Sequence, residues 1–219
     1  MAKGVFISFE GSEGCGKSTQ IEVLVRHLQA IGHRVRAARE PGGTLIGEEI
    51  RHTLKHSHSN AAMSAEAELL LMNASRAQLV REVIRPALAA GEVVVCDRFY
   101  DSTTAYQGHG RQLDLKVIQT VIDLAVGDTR PELTLLLTVT PEVGELRRAL
   151  RQSTLPFMRD RIEEADRAFF ERVEHGFAAI AASEPERVRA VEASGSKESV
   201  AERIWDLVRP VLPRLGRWC

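Results

Sequence analysis

Short apolar runs alternate with amphipathic stretches along the whole chain. The apolar runs are bounded by polar or turn-forming residues, which is typical of buried β-strands. They occupy residues 5–9, 34–38, 93–96, 133–139 and 187–191. The stretches between them repeat their apolar positions at helical spacing, and Pro141 and Ser196 are start signals for two of them. The predicted helices cover residues 18–30, 45–55, 65–90, 115–124, 141–151, 163–182 and 197–212.

The order of these elements predicts the fold class. Strands that alternate with helices form a mainly parallel sheet, because each parallel pair needs a crossover connection. We therefore expect an α/β fold with a five-stranded, mainly parallel sheet flanked by helices on both faces. Ligands of such sheets bind at the carboxyl ends of the strands. No internal repeat or low-complexity linker divides the sequence, so residues 1–219 are predicted to form a single domain.

The composition argues against several classes of function. The 219-residue chain has 29 basic and 30 acidic side chains and a net charge of −1, so no overall field attracts it to nucleic acid or to an anionic membrane. No apolar run approaches the roughly 20 residues that a membrane span requires. The sequence shows no signal-peptide pattern, and Cys15, Cys96 and Cys219 lack metal-ligand spacing. We expect a cytoplasmic protein that binds neither nucleic acid nor membranes.

Residues 11–18, between the first predicted strand and the first predicted helix, match the P-loop pattern in full. The glycines let backbone N–H groups point at phosphate oxygens, and the helix N-terminus adds a dipole that favours an anion. Lys17 would neutralise the outer phosphates, and the Ser18 hydroxyl would hold Mg²⁺. The residues predicted to bind ATP are Gly11, Ser12, Glu13, Gly14, Cys15, Gly16, Lys17, Ser18 and Thr19. With the βα rhythm, this motif predicts a P-loop NTPase fold.

A second pair of charged residues, Asp97 and Arg98, follows the predicted strand at residues 93–96. Because the carboxyl ends of parallel strands share one edge of the sheet, this pair should lie beside the P-loop. A carboxylate and a guanidinium there suit magnesium and phosphate, and Asp97 would assist Ser18 in holding the metal. The alternative interpretation is a structural ion pair at a strand end.

Several classes of P-loop protein could carry these residues. Regulatory GTPases normally carry Asn-Lys-x-Asp and Asp-x-x-Gly segments, and neither string occurs here. Motor ATPases usually need a larger body to couple hydrolysis to movement. The length fits a small-molecule kinase, while a P-loop nucleotide-binding switch remains an alternative of another class.

Further segments of the chain resemble the bacterial thymidylate kinase family. They are residues 9–14 (Phe-Glu-Gly-Ser-Glu-Gly), 39–44 (Arg-Glu-Pro-Gly-Gly-Thr), 97–98 (Asp-Arg), 105–108 (Ala-Tyr-Gln-Gly), and 160–163 with 169–170 in a lid-like region. Together they are more specific than the P-loop alone and span most of the sequence. The resemblance implies ATP- and Mg²⁺-dependent phosphorylation of dTMP to dTDP by a homodimer.

The resemblance also implies roles for residues around the acceptor nucleotide. Arg98 would hold the dTMP phosphate, Arg76 would hydrogen-bond the thymine edge, and Glu13 would face the deoxyribose 3′-hydroxyl. A buried base edge needs a directed donor, and such a site rejects bases that leave the donor unpaired. The other residues implied to form the dTMP site are Pro41, Leu54, Met72, Thr103, Tyr106 and Gln107.

Met72 departs from the family pattern, which usually has an aromatic ring four residues before the arginine. A thioether contacts aromatic faces at roughly 0.3–1.5 kcal/mol, so it would hold the base less selectively. The apolar run at residues 69–72 is also consistent with a core position. A kinase for another deoxynucleotide or nucleoside therefore remains an alternative.

Phosphoryl transfer requires positive charge around the migrating group. Lys17 and Arg98 would supply part of this charge as catalytic residues, and no other residue at positions 11–18 is basic. We expect the rest from an arginine-rich lid, about residues 147–162, that closes over ATP and excludes water. Its candidate catalytic residues are Arg151, Arg159 and Arg161. A solvated arginine-rich helix end is the alternative interpretation.

Overall fold

The computed structural model describes residues 3–57, 62–140, 143–144, 146–147, 162 and 166–212. At its centre lies a sheet of five strands: β1 (Val5–Glu10), β2 (Val35–Arg39), β3 (Val93–Asp97), β4 (Leu133–Thr138) and β5 (Val188–Glu192). The strands follow the order β2-β3-β1-β4-β5, and every pairing is parallel. The predicted α/β class and all five predicted strands are confirmed, with small shifts at their ends.

Helices cover both faces of this sheet. They are α1 (Lys17–Ala30), α2 (Leu45–His56), α3 (Ala65–Leu79), α4 (Arg85–Ala89), α5 (Tyr100–Thr103), α6 (Leu115–Val126), α7 (Arg167–Ser183) and α8 (Lys197–Val208). Polar side chains cap several helix N-termini, as when Ser64 accepts the Ala67 N–H and Asp166 accepts the Phe169 N–H. Most of the helix predicted at residues 141–151 lies outside the described residues. No helix in the described part of the chain could span a membrane.

The helix predicted over residues 65–90 is interrupted in the structure. After α3 a π-helical turn, Val80–Ile84, widens the helix before α4 begins. Pro86 stands at the start of α4 and has no N–H to donate to the preceding turn. The Arg85 N–H instead bonds the Val80 carbonyl, five residues back. The wider turn lets the chain continue past the proline, which the periodicity alone did not predict.

A second π-helical segment, Thr104–Gly110, continues from α5 and was not predicted at all. It carries Tyr106 and Gln107, both of them buried. Gly110 lets α7 approach closely, because a Cβ atom at this position would lie 2.6 Å from the Phe169 ring. π-Helical turns are frequent at functional sites.

Alternate residues of β1 pack into opposite layers. Phe9 lies in the core with Ile204 of α8, whereas Phe6 lies in the core with Ile122 of α6. Burying a side chain of this kind contributes about 1.5–3 kcal/mol, so the two layers hold β1 at the centre of the sheet.

The register of the strands brings three loops to one edge of the sheet. Phe9 of β1 pairs with Asp97 of β3, and Arg39 of β2 pairs with the same Asp97. The segments after β1, β2 and β3 therefore emerge side by side at the carboxyl edge, where ligands of such sheets bind.

Candidate active site

The loop between β1 and α1, residues 11–18, forms a phosphate cradle. Gly11, Gly14 and Gly16 have φ angles of 131°, 79° and 92°, a region that favours glycine. A Cβ atom on Gly11 would also lie 2.3 Å from the Leu137 carbonyl oxygen. The glycines thus let the backbone curl at the N-terminus of α1, where N–H groups and the helix dipole favour an anion.

Lys17 is the buried cation of the cradle. Its Nζ donates to the carbonyl oxygens of Gly11 and Ser12, both at 2.9 Å. Burial lowers the pKa of Lys17. Because its partners are neutral carbonyls, phosphate oxygens can replace them with a stronger, charge-assisted interaction.

Ser18 and Asp97 meet between the cradle and β3. The Ser18 hydroxyl donates to Asp97 Oδ2 at 3.3 Å. Both side chains offer hard oxygen donors, and Mg²⁺ commonly takes one or two protein oxygens together with water and substrate phosphates. The pair therefore fits a magnesium ion that is shared with a nucleotide.

Arg98 lies in a turn with an unusual backbone. Its φ angle of 68° is uncommon for a residue other than glycine, and its N–H bonds the Phe9 carbonyl at 2.9 Å. The guanidinium donates to Ser102 Oγ at 3.1 Å and to the Tyr106 hydroxyl at 3.3 Å. The turn thus points a cation across the edge of the sheet toward the space beside the cradle.

Glu10, the last residue of β1, was not among the predicted site residues. Its fully buried carboxylate accepts the Phe99 N–H at 2.8 Å, the Ser102 N–H at 3.2 Å and the Ser102 hydroxyl at 2.6 Å. Burial raises the pKa of Glu10 to about 7, and the charge of Asp101 adds to this effect. Since Ser102 also accepts from Arg98, Glu10 holds the Arg98 turn through a serine.

A pocket next to Arg98 collects most of the residues predicted to bind the acceptor. We call it the acceptor pocket. It is lined by Glu13, Glu40, Pro41, Lys55, Met72, Arg76, Arg98, Ser102, Thr103, Tyr106, Gln107 and Ile162. Leu54 is absent from this lining; it is buried, and its neighbour Lys55 faces the pocket instead.

Arg76 is fully engaged with the protein rather than presenting a free donor to the pocket. Its Nε and Nη2 bind the Glu40 carboxylate at 2.8 and 2.7 Å, and Nη2 also reaches the Phe99 carbonyl at 3.2 Å. Its Nη1 donates to Asn73 at 2.8 Å and to Thr103 at 2.9 Å. A contact between Arg76 and a base would therefore have to share one of these donors.

The partner of Arg76, Glu40, was also missed from the sequence. It is the residue before Pro41, and burial raises its pKa to about 7 although Arg76 opposes the shift. Its Oε1 atom is buried and has no hydrogen-bond partner in the described structure. A glutamate after a strand resembles a surface residue in the sequence, so the ion pair leaves no local signal.

The lid arginines Arg151, Arg159 and Arg161 lie outside the described residues. Arg147, at the start of the predicted lid, is described and lies over the cradle. Its Nη1 donates to the Ala193 carbonyl at 3.1 Å and stands 3.8 Å from the position of a Cβ atom on Gly16. A cation near the cradle thus comes from a residue that was not among the candidates.

Comparison with known proteins identifies the family. The thymidylate kinase family model matches residues 9–204. A thymidylate kinase from Synechococcus sp. is 48% identical over 209 residues, which cover 95% of this chain and 96% of the relative. One from Geobacter sulfurreducens is 46% identical over 212 residues, 96% and 99% of the two chains. The crystal structure of thymidylate kinase from Ehrlichia chaffeensis matches with a TM-score of 0.76 at 30% identity, over 95% of this chain and 99% of the other. The chain belongs to the thymidylate kinase family.

Proposed function

We propose that the chain transfers the γ-phosphoryl group of ATP to the phosphate of dTMP and releases dTDP and ADP. The observation that carries this proposal is the placement of the phosphate cradle and the acceptor pocket at one edge of the sheet. Ser18 of the cradle contacts Asp97, and the next residue, Arg98, lines the pocket. Two phosphate chains can therefore meet between Lys17 and Arg98.

The cradle would bind the donor. Its backbone N–H groups would hold the ATP phosphates, and Lys17 would leave the Gly11 and Ser12 carbonyls to neutralise them. Ser18 and Asp97 would hold Mg²⁺, directly or through water. When bound, the ion neutralises charge on the phosphate oxygens. No strong base is needed, because the attacking oxygen belongs to a phosphate that is already anionic.

The acceptor pocket would bind dTMP through groups of different character. Arg98 would hold the acceptor phosphate, and the Glu13 carboxylate would accept a hydrogen bond from the deoxyribose 3′-hydroxyl. Pro41 and Met72 would pack against the base. Thr103, Tyr106 and Gln107 would complete the polar contacts, while Arg76 would orient Thr103 through their 2.9 Å hydrogen bond.

A lid formed by about residues 147–162 completes the proposal, within a single domain. Arg147 lies beside the cradle and Ile162 lines the acceptor pocket, so both ends of this segment adjoin the site. Arg151, Arg159 and Arg161 would then bring charge to the transferring phosphoryl group. Closure would exclude the water that competes with dTMP.

We also propose that the enzyme is a cytoplasmic homodimer. α3 and α6 pack against each other, and each exposes a leucine, Leu70 at 58% and Leu124 at 88%. Exposed apolar side chains on adjacent helices suit contact with a second copy. Cys15 and Cys96 are free buried thiols, as in proteins of a reducing compartment. Light scattering during size-exclusion chromatography would test the dimer, and Leu124→Glu should yield monomers.

An assay of ADP release with different acceptors tests the function. We expect Mg²⁺-dependent turnover with dTMP, much less with dUMP, dCMP or dGMP, and none with thymidine or with ATP alone. EDTA should abolish turnover and added Mg²⁺ should restore it. Met72 favours the alternative of a broader deoxynucleotide kinase, which comparable rates with several monophosphates would establish. Hydrolysis of ATP without any acceptor would instead favour a nucleotide-binding switch.

A further inference from the structure

A buried carboxylate lies behind the acceptor pocket without touching it. Glu68, in the first turn of α3, is 1% exposed. Its Oε1 accepts a hydrogen bond from Gln107 Nε2 at 2.7 Å. Arg111 contacts the same carboxylate, with Nη2 at 3.0 Å from Oε2 and Nε at 3.2 Å from Oε1. Arg111 also lies over the Phe169 ring, 4.6 Å from its centroid, so both partners of the ion pair are held in place.

This contact fixes which end of the Gln107 amide faces Glu68. An ionised carboxylate can only accept hydrogen bonds, so the amide NH₂ must point toward it. Rotation of the amide by half a turn would place two oxygens 2.7 Å apart and would leave the carboxylate without this donor. Gln107 lines the acceptor pocket, and its carbonyl oxygen is therefore the end of the amide that remains for a ligand.

The fixed amide gives the pocket a defined hydrogen-bonding character. Thymine and uracil carry a donor, N3–H, whereas N3 of cytosine is an acceptor with an amino group next to it. A carbonyl oxygen complements N3–H and faces the N3 lone pair of cytosine unfavourably. The Thr103 hydroxyl accepts from Arg76 and has its own proton to donate to a base carbonyl.

We propose that Glu68 is a positioning residue that makes the acceptor pocket select pyrimidines with an N3–H group over cytosine, by fixing the orientation of the Gln107 amide. This inference rests on the proposed function. It assigns a role in specificity to a residue that does not line the acceptor pocket but is joined by a direct hydrogen bond to Gln107, which does.

The test compares acceptor preference in Glu68→Gln and Glu68→Asp variants of the full chain. Glutamine can face Gln107 with either end of its amide, so both orientations become possible. Aspartate keeps a negative charge for Arg111, but its carboxylate is one methylene further from Gln107. We expect the ratio of kcat/KM for dTMP to kcat/KM for dCMP to fall about ten-fold or more in both variants, because a site that has lost its fixed acceptor discriminates less. The loss falls on dTMP, whereas kcat/KM for dCMP is unchanged or higher and KM for ATP stays constant.

Controls separate this role from general loosening of the fold. Glu66→Gln changes an exposed glutamate on the same helix and should leave the ratio unchanged. Gln107→Leu should also lower the ratio, and adding Glu68→Gln to it should cause no further change, since both act through one amide. A parallel loss of activity on dTMP and dCMP, with the ratio intact, would overturn the inference. Absence of dTMP turnover in the unmodified enzyme would instead overturn the proposed function.

Discussion

The phosphate cradle and the acceptor pocket lie at the same edge of the sheet, but the cradle is formed mainly by backbone groups and the pocket by side chains. The cradle is one continuous segment, residues 11–18, which would bind phosphate mostly through backbone N–H groups. Its lysine donates to backbone carbonyls. The acceptor pocket is made of side chains from segments that are far apart in the sequence. The geometry of a site made of backbone groups depends on the local conformation of one segment. The geometry of a site made of side chains depends on the neighbouring residues that hold each side chain.

In the acceptor pocket, each of three functional side chains is held in place by a different buried glutamate. Glu10 holds Arg98 through Ser102, Glu40 binds Arg76, and Glu68 binds Gln107. All three carboxylates are almost fully buried. Removing the partner of a buried charge lowers the free energy of unfolding strongly. Single substitutions in the acceptor pocket should therefore change stability and acceptor binding more than substitutions in the cradle.

The largest expected effect on stability comes from breaking the Arg76–Glu40 pair. Arg76→Met should lower the free energy of unfolding by about 3–5 kcal/mol, because it leaves a buried carboxylate without its partner. Arg36→Met is the matched control, since Arg36 pairs with Glu92 while 53% exposed and should change stability by less than about 1 kcal/mol. Urea denaturation of the variants measures both. Equal, small changes would show that the buried ion pair of the acceptor pocket contributes no more to stability than the exposed pair of Arg36 and Glu92.

Substitution of Lys17, in the cradle, should have a large effect on turnover. Lys17→Ala should lower kcat by about 10²–10³-fold, the usual range when one charged or dipolar stabiliser of a transition state is removed. KM for dTMP should change little, because Lys17 faces the ATP phosphates. Lys116→Ala, on the exposed face of α6, controls for the loss of a positive charge. Normal turnover in Lys17→Ala would show that the cradle is not the donor site.

Glu10→Gln tests whether a buried glutamate supports the acceptor pocket. The amide cannot accept all of the bonds that the carboxylate receives from Phe99 and Ser102, so the Arg98 turn should loosen. We expect kcat/KM for dTMP to fall about ten-fold or more, with an effect that is not additive with Ser102→Ala. Glu132→Gln, which alters an acceptor of the Phe6 N–H at the start of β1, is the matched control. If the effects of Glu10→Gln and Ser102→Ala on kcat/KM were additive, Glu10 would not act through Ser102.

A pH dependence of stability is expected from Glu40. The pKa of Glu40 is raised from 4.5 to about 7 in the folded chain, mainly by burial. Its contribution to stability is therefore fully present below pH 4.5 and is lost as the pH rises through about 7. Between pH 5 and pH 8 the free energy of unfolding, measured by denaturation, should decrease, and the decrease should be smaller by roughly 1–3 kcal/mol in Glu40→Gln, where the similarly raised pKa of Glu10 remains. An identical pH dependence in the variant would contradict the assignment.

Several parts of this structure were predictable because their signals are local. The five strands follow from apolar runs, and the cradle follows from glycines and a lysine at fixed spacing. The place of Asp97 and Arg98 beside the cradle follows from the parallel sheet, since Phe9 and Asp97 are paired neighbours. Each of these inferences needed only a short segment and a general rule of packing.

The remaining features depend on contacts between distant segments. Nothing near Glu10 in the sequence indicates that Ser102 will be its partner, because the two residues are 92 positions apart. The same holds for Glu68 and Gln107, which are 39 positions apart. The π-helical segment that carries Tyr106 and Gln107 has no clear apolar period, so it was missed. Lys55 rather than its neighbour Leu54 lines the pocket, and that detail depends on which side of α2 packs against α3.

The most direct test of this account is a set of paired KM measurements. KM for dTMP and KM for ATP should be determined for the unmodified chain and for Glu10→Gln and Glu68→Gln. KM for dTMP should rise in both variants while KM for ATP stays constant, because the hydrogen bonds of Glu10 and Glu68 lead to Ser102 and Gln107 of the acceptor pocket. A parallel rise of both constants, or a change in KM for ATP alone, would contradict it.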